Sequence, residues 1–140
     1  MEQLKNKQSL LYVLCILGLG ISMYLTYAKL TSSSVACINA GCNTVQSSKY
    51  SEISGIPVGM FGIGFYFILF TLLFKAKENL AKLLLIWGNL YSLYLTYLEL
   101  FVIKAICVWC VGSFVVIILM SLLLFVRTKD TQYETAQKPE

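Results

Sequence analysis

Residues 107–126 have the sequence CVWCVGSFVVIILMSLLLFV, which contains no charged side chain. A helix rises ~1.5 Å per residue, so ~20 apolar residues are enough to cross the ~30 Å hydrocarbon core of a bilayer. Because no water reaches the backbone there, a segment of this kind has to be helical. The stretch therefore predicts a membrane helix that begins with two cysteines, Cys107 and Cys110, at Cys-x-x-Cys spacing.

The 140-residue chain as a whole is also apolar, since 58% of its residues are hydrophobic and 13% are charged. Soluble domains carry about 25% charged residues, so this composition is not typical of a soluble domain. Four long apolar segments are present: Leu10–Leu30, Pro57–Phe74, Leu80–Ile103 and Val108–Val126. We predict an all-α integral membrane protein, a four-transmembrane-helix bundle, with an outer loop that carries a short interfacial helix.

The distribution of basic residues predicts the orientation. Basic residues concentrate on the side of both termini, which predicts that this side is cytoplasmic in a plasma membrane. They are Lys5, Lys7, Lys75, Lys77, Lys82, Arg127, Lys129 and Lys138, against Lys29, Lys49 and Lys104 on the other side. We expect residues 1–9 to be a cytoplasmic N-terminus, residues 10–126 the membrane domain with an outer loop at 31–56, and residues 127–140 a disordered cytoplasmic tail. The first apolar run is longer than a signal-peptide core, so we expect it to be retained.

This orientation places Cys37, Cys42, Cys107 and Cys110 on the oxidising face of the membrane. Cys107 and Cys110 are spaced to close a small disulfide, and the start of a helix lowers the pKa of a thiol through its unpaired N–H groups. Two alternatives remain open: buried structural cysteines, or four thiolates that bind one zinc ion. The fifth cysteine, Cys15, lies in the middle of the first span, and we expect it to be a packing residue.

Further candidates lie on the outer loop and on the second and third helices. We expect a short helix at residues 43–53, with Asn43 as its cap. Phe61 and Phe65 share one face of the second helix and either pack against another helix or form the wall of a pocket for an aromatic ring. Glu99, an acid at lipid depth, is either a functional group or extends to the outer surface towards Lys104.

The chain contains no His and no Gly-x-Gly-x-x-Gly motif, which argues against imidazole catalysis and against a nicotinamide-binding fold. Electrons taken from thiols would therefore leave through a lipid-soluble acceptor. Thiol–disulfide exchange needs only a thiolate and a disulfide, so four cysteines are sufficient to relay two electrons. We expect no resident metal and no nucleic-acid partner.

A set of residues in a fixed order carries a family resemblance. The set is Cys37, Cys42, Ser48, Gly55-Ile56-Pro57, Phe61-Gly62, Phe65-Tyr66, Tyr97-Leu98-Glu99 and Ala105-Ile106-Cys107-Val108-Trp109-Cys110. In this combination the chain resembles the vitamin K epoxide reductase family, above all its bacterial homologues, over nearly all of its apolar part. The combination is far more specific than a lone Cys-x-x-Cys.

The resemblance implies a four-helix bundle around a membrane quinone, either ubiquinone or menaquinone. It implies that Cys107 and Cys110 are the active pair, with Cys110 nearer the quinone ring. It implies that Cys37 and Cys42 shuttle electrons from a thiol protein outside the membrane. Ser48 corresponds to the family's serine or threonine close to the active pair.

The candidate quinone-binding residues are Ser48, Phe61, Phe65, Trp109 and Phe114. Two departures from the animal enzymes concern this pocket, because Val58 and Phe114 stand in place of the Asn and the Tyr that hold vitamin K there. The loop cysteines are also closer together than in the animal enzymes. These differences favour quinone reduction, while vitamin K epoxide reduction remains an alternative.

The expected function is that of a membrane thiol oxidoreductase that generates disulfides. It would pass electrons from an extracytoplasmic, DsbA-like thioredoxin-fold protein through Cys37 and Cys42 to Cys107 and Cys110, and then to the quinone. Many bacterial homologues carry a fused thioredoxin-like domain that this sequence lacks, so we expect a separate partner. A DsbB-type oxidase performs the same class of reaction, but its Cys-x-x-Cys lies in the first outer loop.

Cys110 lies one turn deeper than Cys107, so we expect Cys107 to be the sulfur that bonds to Cys42.

Overall fold

A computed structural model describes residues 2–38 and 40–136 of the chain. The helices are α1 (Glu2–Leu30), α2 (Gly41–Ser47), α3 (Val58–Phe74), α4 (Glu78–Tyr97) and α5 (Val108–Ala136). A 3-10 turn (Lys49–Ser51) and a two-stranded hairpin, β1 (Glu52–Ile53) and β2 (Ile56–Pro57), lie between α2 and α3. A π-helical turn (Leu98–Ile103) extends α4.

The four long helices form one bundle, in which α1 contacts α3 and α5, and α4 contacts α3 and α5. The all-α fold expected from the sequence is confirmed. By length and apolar composition, two of the described helices are able to cross a membrane, at Lys5–Leu30 and Val108–Tyr133. The apolar helix α3 is shorter, with 17 residues. Four membrane spans therefore stay a prediction.

The two ends of the bundle differ in chemistry. At one end, here called the terminal end, α1 and α5 are joined by an ion pair between Lys7 and Asp130, and α4 and α5 by one between Glu78 and Arg127. All the connections that carry cysteines lie at the opposite end, here called the cysteine end. The segment between α1 and α3 covers the bundle there and is called the cap (residues 31–57, of which Asn39 lies outside the described residues).

The cap differs from the sequence prediction in two ways. Its helix covers residues 41–47 instead of 43–53, and Asn43 lies inside α2, where its Oδ1 accepts a hydrogen bond from the Val35 N–H at 2.9 Å. Residues 52–57 form the hairpin, because Ser54 and Gly55 both have positive φ angles, 55° and 83°, as a tight hairpin turn requires.

Two further boundaries depart from the prediction. The α-helical part of the third apolar segment ends at Tyr97, because the chain widens into the π-helical turn and closes at Lys104, whose φ angle is 55°. The fifth helix continues to Ala136, so residues 127–136 are helical where a disordered tail was predicted. Lys138, one of the basic residues used for orientation, lies outside the described residues.

The core of the bundle is apolar towards the terminal end. Its largest fully buried side chains include Leu11, Leu69, Leu85, Met120 and Leu124. Cys15 belongs to this core, and its thiol donates a hydrogen bond to the backbone oxygen of Tyr66 at 3.3 Å. Cys15 thus has the packing role expected for it.

Candidate redox site

The cysteine end brings together the four remaining cysteines in two different states. Cys37 and Cys42 form a disulfide with their Cα atoms 6.2 Å apart, whereas Cys107 and Cys110 are free thiols. Cys42 and Cys107 have no exposed surface, and they belong to the same buried cluster as Leu25, Ala28, Val35 and Val45. Cys37 and Cys110 pack against this cluster from its sides. The cap therefore places its disulfide beside the Cys-x-x-Cys pair.

A glycine allows this close approach. A Cβ atom on Gly41 would occupy the space of the Ile106 carbonyl oxygen, so only glycine lets the start of α2 lie against the turn that leads into α5. Cys42 and Cys107 are the next residues along these two segments. The contact between Gly41 and Ile106 therefore sets how closely the cap disulfide approaches the thiol pair.

Glu99 organises the turn before α5. The backbone oxygen of Glu99 accepts hydrogen bonds from the N–H groups of Lys104 and Ala105, and its carboxylate accepts one from the Cys107 N–H at 3.0 Å. The side chain is buried, with 4% of the residue exposed. Glu99 does not extend to the surface towards Lys104, because its carboxylate satisfies an N–H group at the start of the helix instead.

The start of α5 determines the state of Cys107. This residue directly precedes the helix, and its carbonyl accepts the Val111 N–H at 3.0 Å, so its sulfur lies at the positive end of the helix dipole. The Cys110 side chain acts as a hydrogen-bond partner that lowers the pKa of Cys107, and burial opposes this effect. Cys107 is the thiol of the pair that is favoured to ionise.

The backbone next to Cys37 is held from both sides. The N–H of Ala36 donates to the Tyr24 hydroxyl at 3.0 Å, and the Ala36 carbonyl accepts from the Trp109 Nε1–H at 2.8 Å. The rings of Tyr24 and Trp109 lie in contact, with centroids 5.2 Å apart. Trp109 therefore fastens the cap to α5, which is a different place from the quinone pocket for which the sequence proposed it.

Lys29 fixes the other side of the cap. At the last turn of α1 its ammonium donates to the Gln46 carbonyl at 2.5 Å and to the Ser51 hydroxyl at 2.9 Å. It also forms an ion pair with Glu52 at 2.9 Å. In the sequence, Lys29 bears only on the predicted orientation. No local motif marks its role in the cap, because its partners lie 17 to 23 residues further along the chain.

A cavity of about 460 Å³ lies under the cap, enclosed by α1, α3, α4, the π-helical turn and α5. Three of the candidate quinone-binding residues, Ser48, Phe61 and Phe65, line it. Cys110 and Glu99 also line it, whereas Cys107, Trp109 and Phe114 are not among its lining residues. The Phe65 ring lies against Gly88 of α4, where any Cβ would displace it. The Ser48 hydroxyl donates to the Val45 carbonyl at 2.7 Å and so closes the end of α2.

Two tyrosines on the cavity wall differ in the state of their hydroxyl groups. The Tyr66 hydroxyl is hydrogen-bonded to Ser113 at 3.0 Å. The Tyr91 hydroxyl is buried and has no hydrogen-bond partner among residues 2–38 and 40–136. A buried hydroxyl without a hydrogen-bond partner is energetically costly. Tyr91 was not predicted from the sequence, because tyrosines are common in membrane helices and no motif distinguishes this one.

No group of three or more His, Cys, Asp or Glu side chains within the described ranges is arranged to hold a metal ion. In the state that the structure describes, the sulfurs of Cys37 and Cys42 are joined to each other. Four thiolates around one zinc ion are therefore not the arrangement present.

The model of the vitamin K epoxide reductase family matches residues 9–125. The chain belongs to this family. The family consists of oxidoreductases, and together with the apolar helices this membership makes the chain a membrane protein. The match extends from the first turns of α1 to the middle of α5, so it includes the cap, the cavity and all four cysteines of the cysteine end. The resemblance drawn from the ordered motifs is thereby confirmed.

Proposed function

We propose that the protein oxidises thiols outside the cytoplasm and passes their electrons to a membrane quinone. A thioredoxin-fold protein delivers two electrons to the Cys37–Cys42 disulfide, and the loop dithiol passes them to Cys107 and Cys110. The quinone, ubiquinone or menaquinone, is reduced under the cap. The product on the outer side is a disulfide in the partner protein.

One observation carries this proposal: the two cysteines of the Cys-x-x-Cys have different surroundings. Cys107 is completely buried in the same cluster as Cys42, while Cys110, one turn further along α5, lines the cavity. A thiol pair with one sulfur towards a disulfide and the other towards a cavity is suited to take electrons on one side and release them on the other.

The cavity is compatible with a quinone ring. Its volume lies within the ~300–1,000 Å³ usual for small-molecule sites. Phe61 and Phe65 offer apolar ring surface. We assign the buried Tyr91 hydroxyl, which has no hydrogen-bond partner in the described part of the chain, to a carbonyl oxygen of the quinone. A bound quinone supplies an acceptor for two electrons and two protons.

The relay follows from the contacts between the segments. Cys42 and Cys107 share one buried cluster, so we assign the exchange between the two pairs to them. Cys37 is partly exposed, next to the Ala36 backbone that Tyr24 and Trp109 hold, so we assign the exchange with the partner protein to Cys37. Cys107 favours the thiolate form, which is the form that attacks and leaves in these steps.

The test uses the purified protein in detergent with a reduced thioredoxin-fold protein as electron donor. We expect oxidation of the donor only when ubiquinone or menaquinone is present, with one hydroquinone formed per disulfide. The measurement follows donor thiols and quinone absorbance together under argon. Equal turnover in the absence of both quinone and oxygen would refute the proposal.

Two variants control this experiment. Cys15→Ala removes a cysteine of the apolar core at a distance from the redox site and should keep the turnover of the unmodified protein. Cys107→Ala should lose it. If Cys107→Ala retained turnover, the electrons would take a route that does not involve this pair.

A further inference from the structure

We propose that Glu99 is the proton carrier of the Cys107–Cys110 pair: its carboxylate accepts the proton of the Cys110 thiol and releases it to the quinone. This inference rests on the proposed function for the identity of the final proton acceptor. The exchange of a proton between Glu99 and the thiol pair is a property of the protein alone, so it can be tested without a quinone.

The first argument is the position of the carboxylate. Glu99 lines the cavity together with Cys110, and the two side chains interact. The same carboxylate accepts the Cys107 N–H at 3.0 Å, so it lies against both members of the Cys-x-x-Cys. It is the only acidic residue among the described residues that line this cavity.

The second argument is the absence of a compensating charge. Glu99 is buried at 4% exposure and forms no ion pair with any Lys or Arg within residues 2–38 and 40–136. A buried carboxylate without a cation is costly, and ionisable groups at such places are usually part of a proton or ion pathway. An uncharged side chain could accept the hydrogen bond from the Cys107 N–H equally well, so this bond alone does not require a carboxylate.

The chemistry requires such a group. When the dithiol closes, two S–H bonds break, one S–S bond forms, two electrons leave for the quinone and two protons must reach its oxygens. The Cys110 proton moves to the Glu99 carboxylate and from there to a quinone oxygen. The Cys107 proton follows by way of the Cys110 sulfur and the same carboxylate. Glu99 ends in the form in which it began, so the step needs no further acid or base.

A purely structural role is the rival explanation, because Glu99 also fixes the turn before α5. Glu99→Gln separates the two roles. The Gln side-chain oxygen can still accept the Cys107 N–H, so the turn is retained, whereas an amide cannot carry the proton. Glu99→Ala loses both functions. Glu78→Gln, at the terminal end, is the matched control for the loss of one carboxylate.

The first measurement is an infrared difference spectrum between the dithiol and the disulfide forms of quinone-free protein. Because no quinone is there to take it, the Cys110 proton stays on Glu99 in the disulfide form. We therefore expect a protonated carboxyl band to gain intensity on oxidation in the unmodified protein and in Glu78→Gln, and not in Glu99→Gln. If the unmodified protein shows no such carboxyl change, the proposal is overturned, whether or not the variant folds.

The second measurement is a single turnover of pre-reduced protein with a quinone. We expect Glu99→Gln to react about 100-fold more slowly, as is usual for loss of a general acid or base, with the half-saturating quinone concentration changed less than about threefold. The melting temperature should remain close to that of the unmodified protein. If Glu99→Gln reacts at the unmodified rate while Glu99→Ala melts earlier, Glu99 only stabilises the turn and the proposal is wrong. If no quinone is reduced even by the unmodified protein, the proposed function fails, and the infrared result alone decides the role of Glu99.

Discussion

The two cysteine pairs at the cysteine end are built in different ways. Cys37 and Cys42 lie on the cap, whose position depends on hydrogen bonds that Lys29 and Trp109 donate to it and that the Tyr24 hydroxyl accepts from it. Cys107 and Cys110 belong to the start of a 29-residue helix that packs along the whole bundle. The first pair is bridged and partly accessible, and the second is reduced and faces the interior.

The two pairs are thus held in place by different kinds of contact. The cap is held by polar contacts that are each worth about 1 kcal/mol and by the packing of Val35 and Val45 in the buried cluster. The helix pair is held in a packed environment, so Cys110 keeps its position beside the cavity. We expect substitutions at the pair itself to abolish the relay and substitutions at its surroundings to slow it.

The largest effect is expected from Cys110→Ala. In this variant the Cys107 thiolate can attack Cys42 and release Cys37, but no second thiol of the helix pair is left to free Cys42 again. The Cys42–Cys107 disulfide should accumulate and turnover should fall to background. Peptide mapping under non-reducing conditions identifies the bond. A Cys37–Cys107 bond in its place would reverse the order that we assign to the cap cysteines.

A smaller effect is expected from Gly41→Ala. An Ala side chain usually favours a helix by about 0.5–1 kcal/mol, but here its Cβ meets the Ile106 carbonyl and forces α2 away from Cys107. In the Cys110→Ala background, the Cys42–Cys107 bond should form about tenfold more slowly, which corresponds to about 1.4 kcal/mol.

Gly64→Ala on α3 is the matched control for this prediction, because no atom lies within 4 Å of its added Cβ. Bond formation in that variant should proceed at the rate of the parent. Equal rates for Gly41→Ala and the parent would show that the contact with Ile106 does not limit the approach of the two pairs.

The smallest effect is expected from Tyr91→Phe, on the cavity side of the helix pair. The change removes a buried hydroxyl that has no partner within the described chain, so the melting temperature of quinone-free protein should stay equal or rise. KM for the quinone should increase about fivefold, since one hydrogen bond to a carbonyl is worth about 1 kcal/mol.

Tyr66→Phe is the control for this prediction, because its effect on the melting temperature should be the opposite. It removes a hydrogen bond to Ser113 at 3.0 Å, so the melting temperature should fall. Steady-state kinetics and thermal melts of both variants separate a ligand contact from an internal one. A lowered melting temperature with unchanged KM for Tyr91→Phe would contradict the placement of its hydroxyl towards the ligand.

The sequence alone determined the all-α fold, the family and the start of α5 at the Cys-x-x-Cys. These features depend on apolar runs and on motifs whose residues are close together along the chain, so they can be deduced without tertiary contacts. Cys37 and Cys42 of the cap were also identified in this way. The limits of the cap helix were not predicted correctly, because residues 52–57 form a hairpin around the Ser54-Gly55 turn instead of continuing the helix.

Only the tertiary structure decided which of the chosen residues share a site. It placed Phe61, Phe65 and Ser48 on the cavity, turned Trp109 to the Ala36 carbonyl, and buried Glu99 against Cys107 and Cys110. These outcomes depend on side chains from segments far apart in the chain, and on whether each polar group finds a partner after packing. Local sequence patterns do not show whether a polar side chain will find a partner. A tyrosine or glutamate can be hydrogen-bonded at one position of a bundle and have no partner at another.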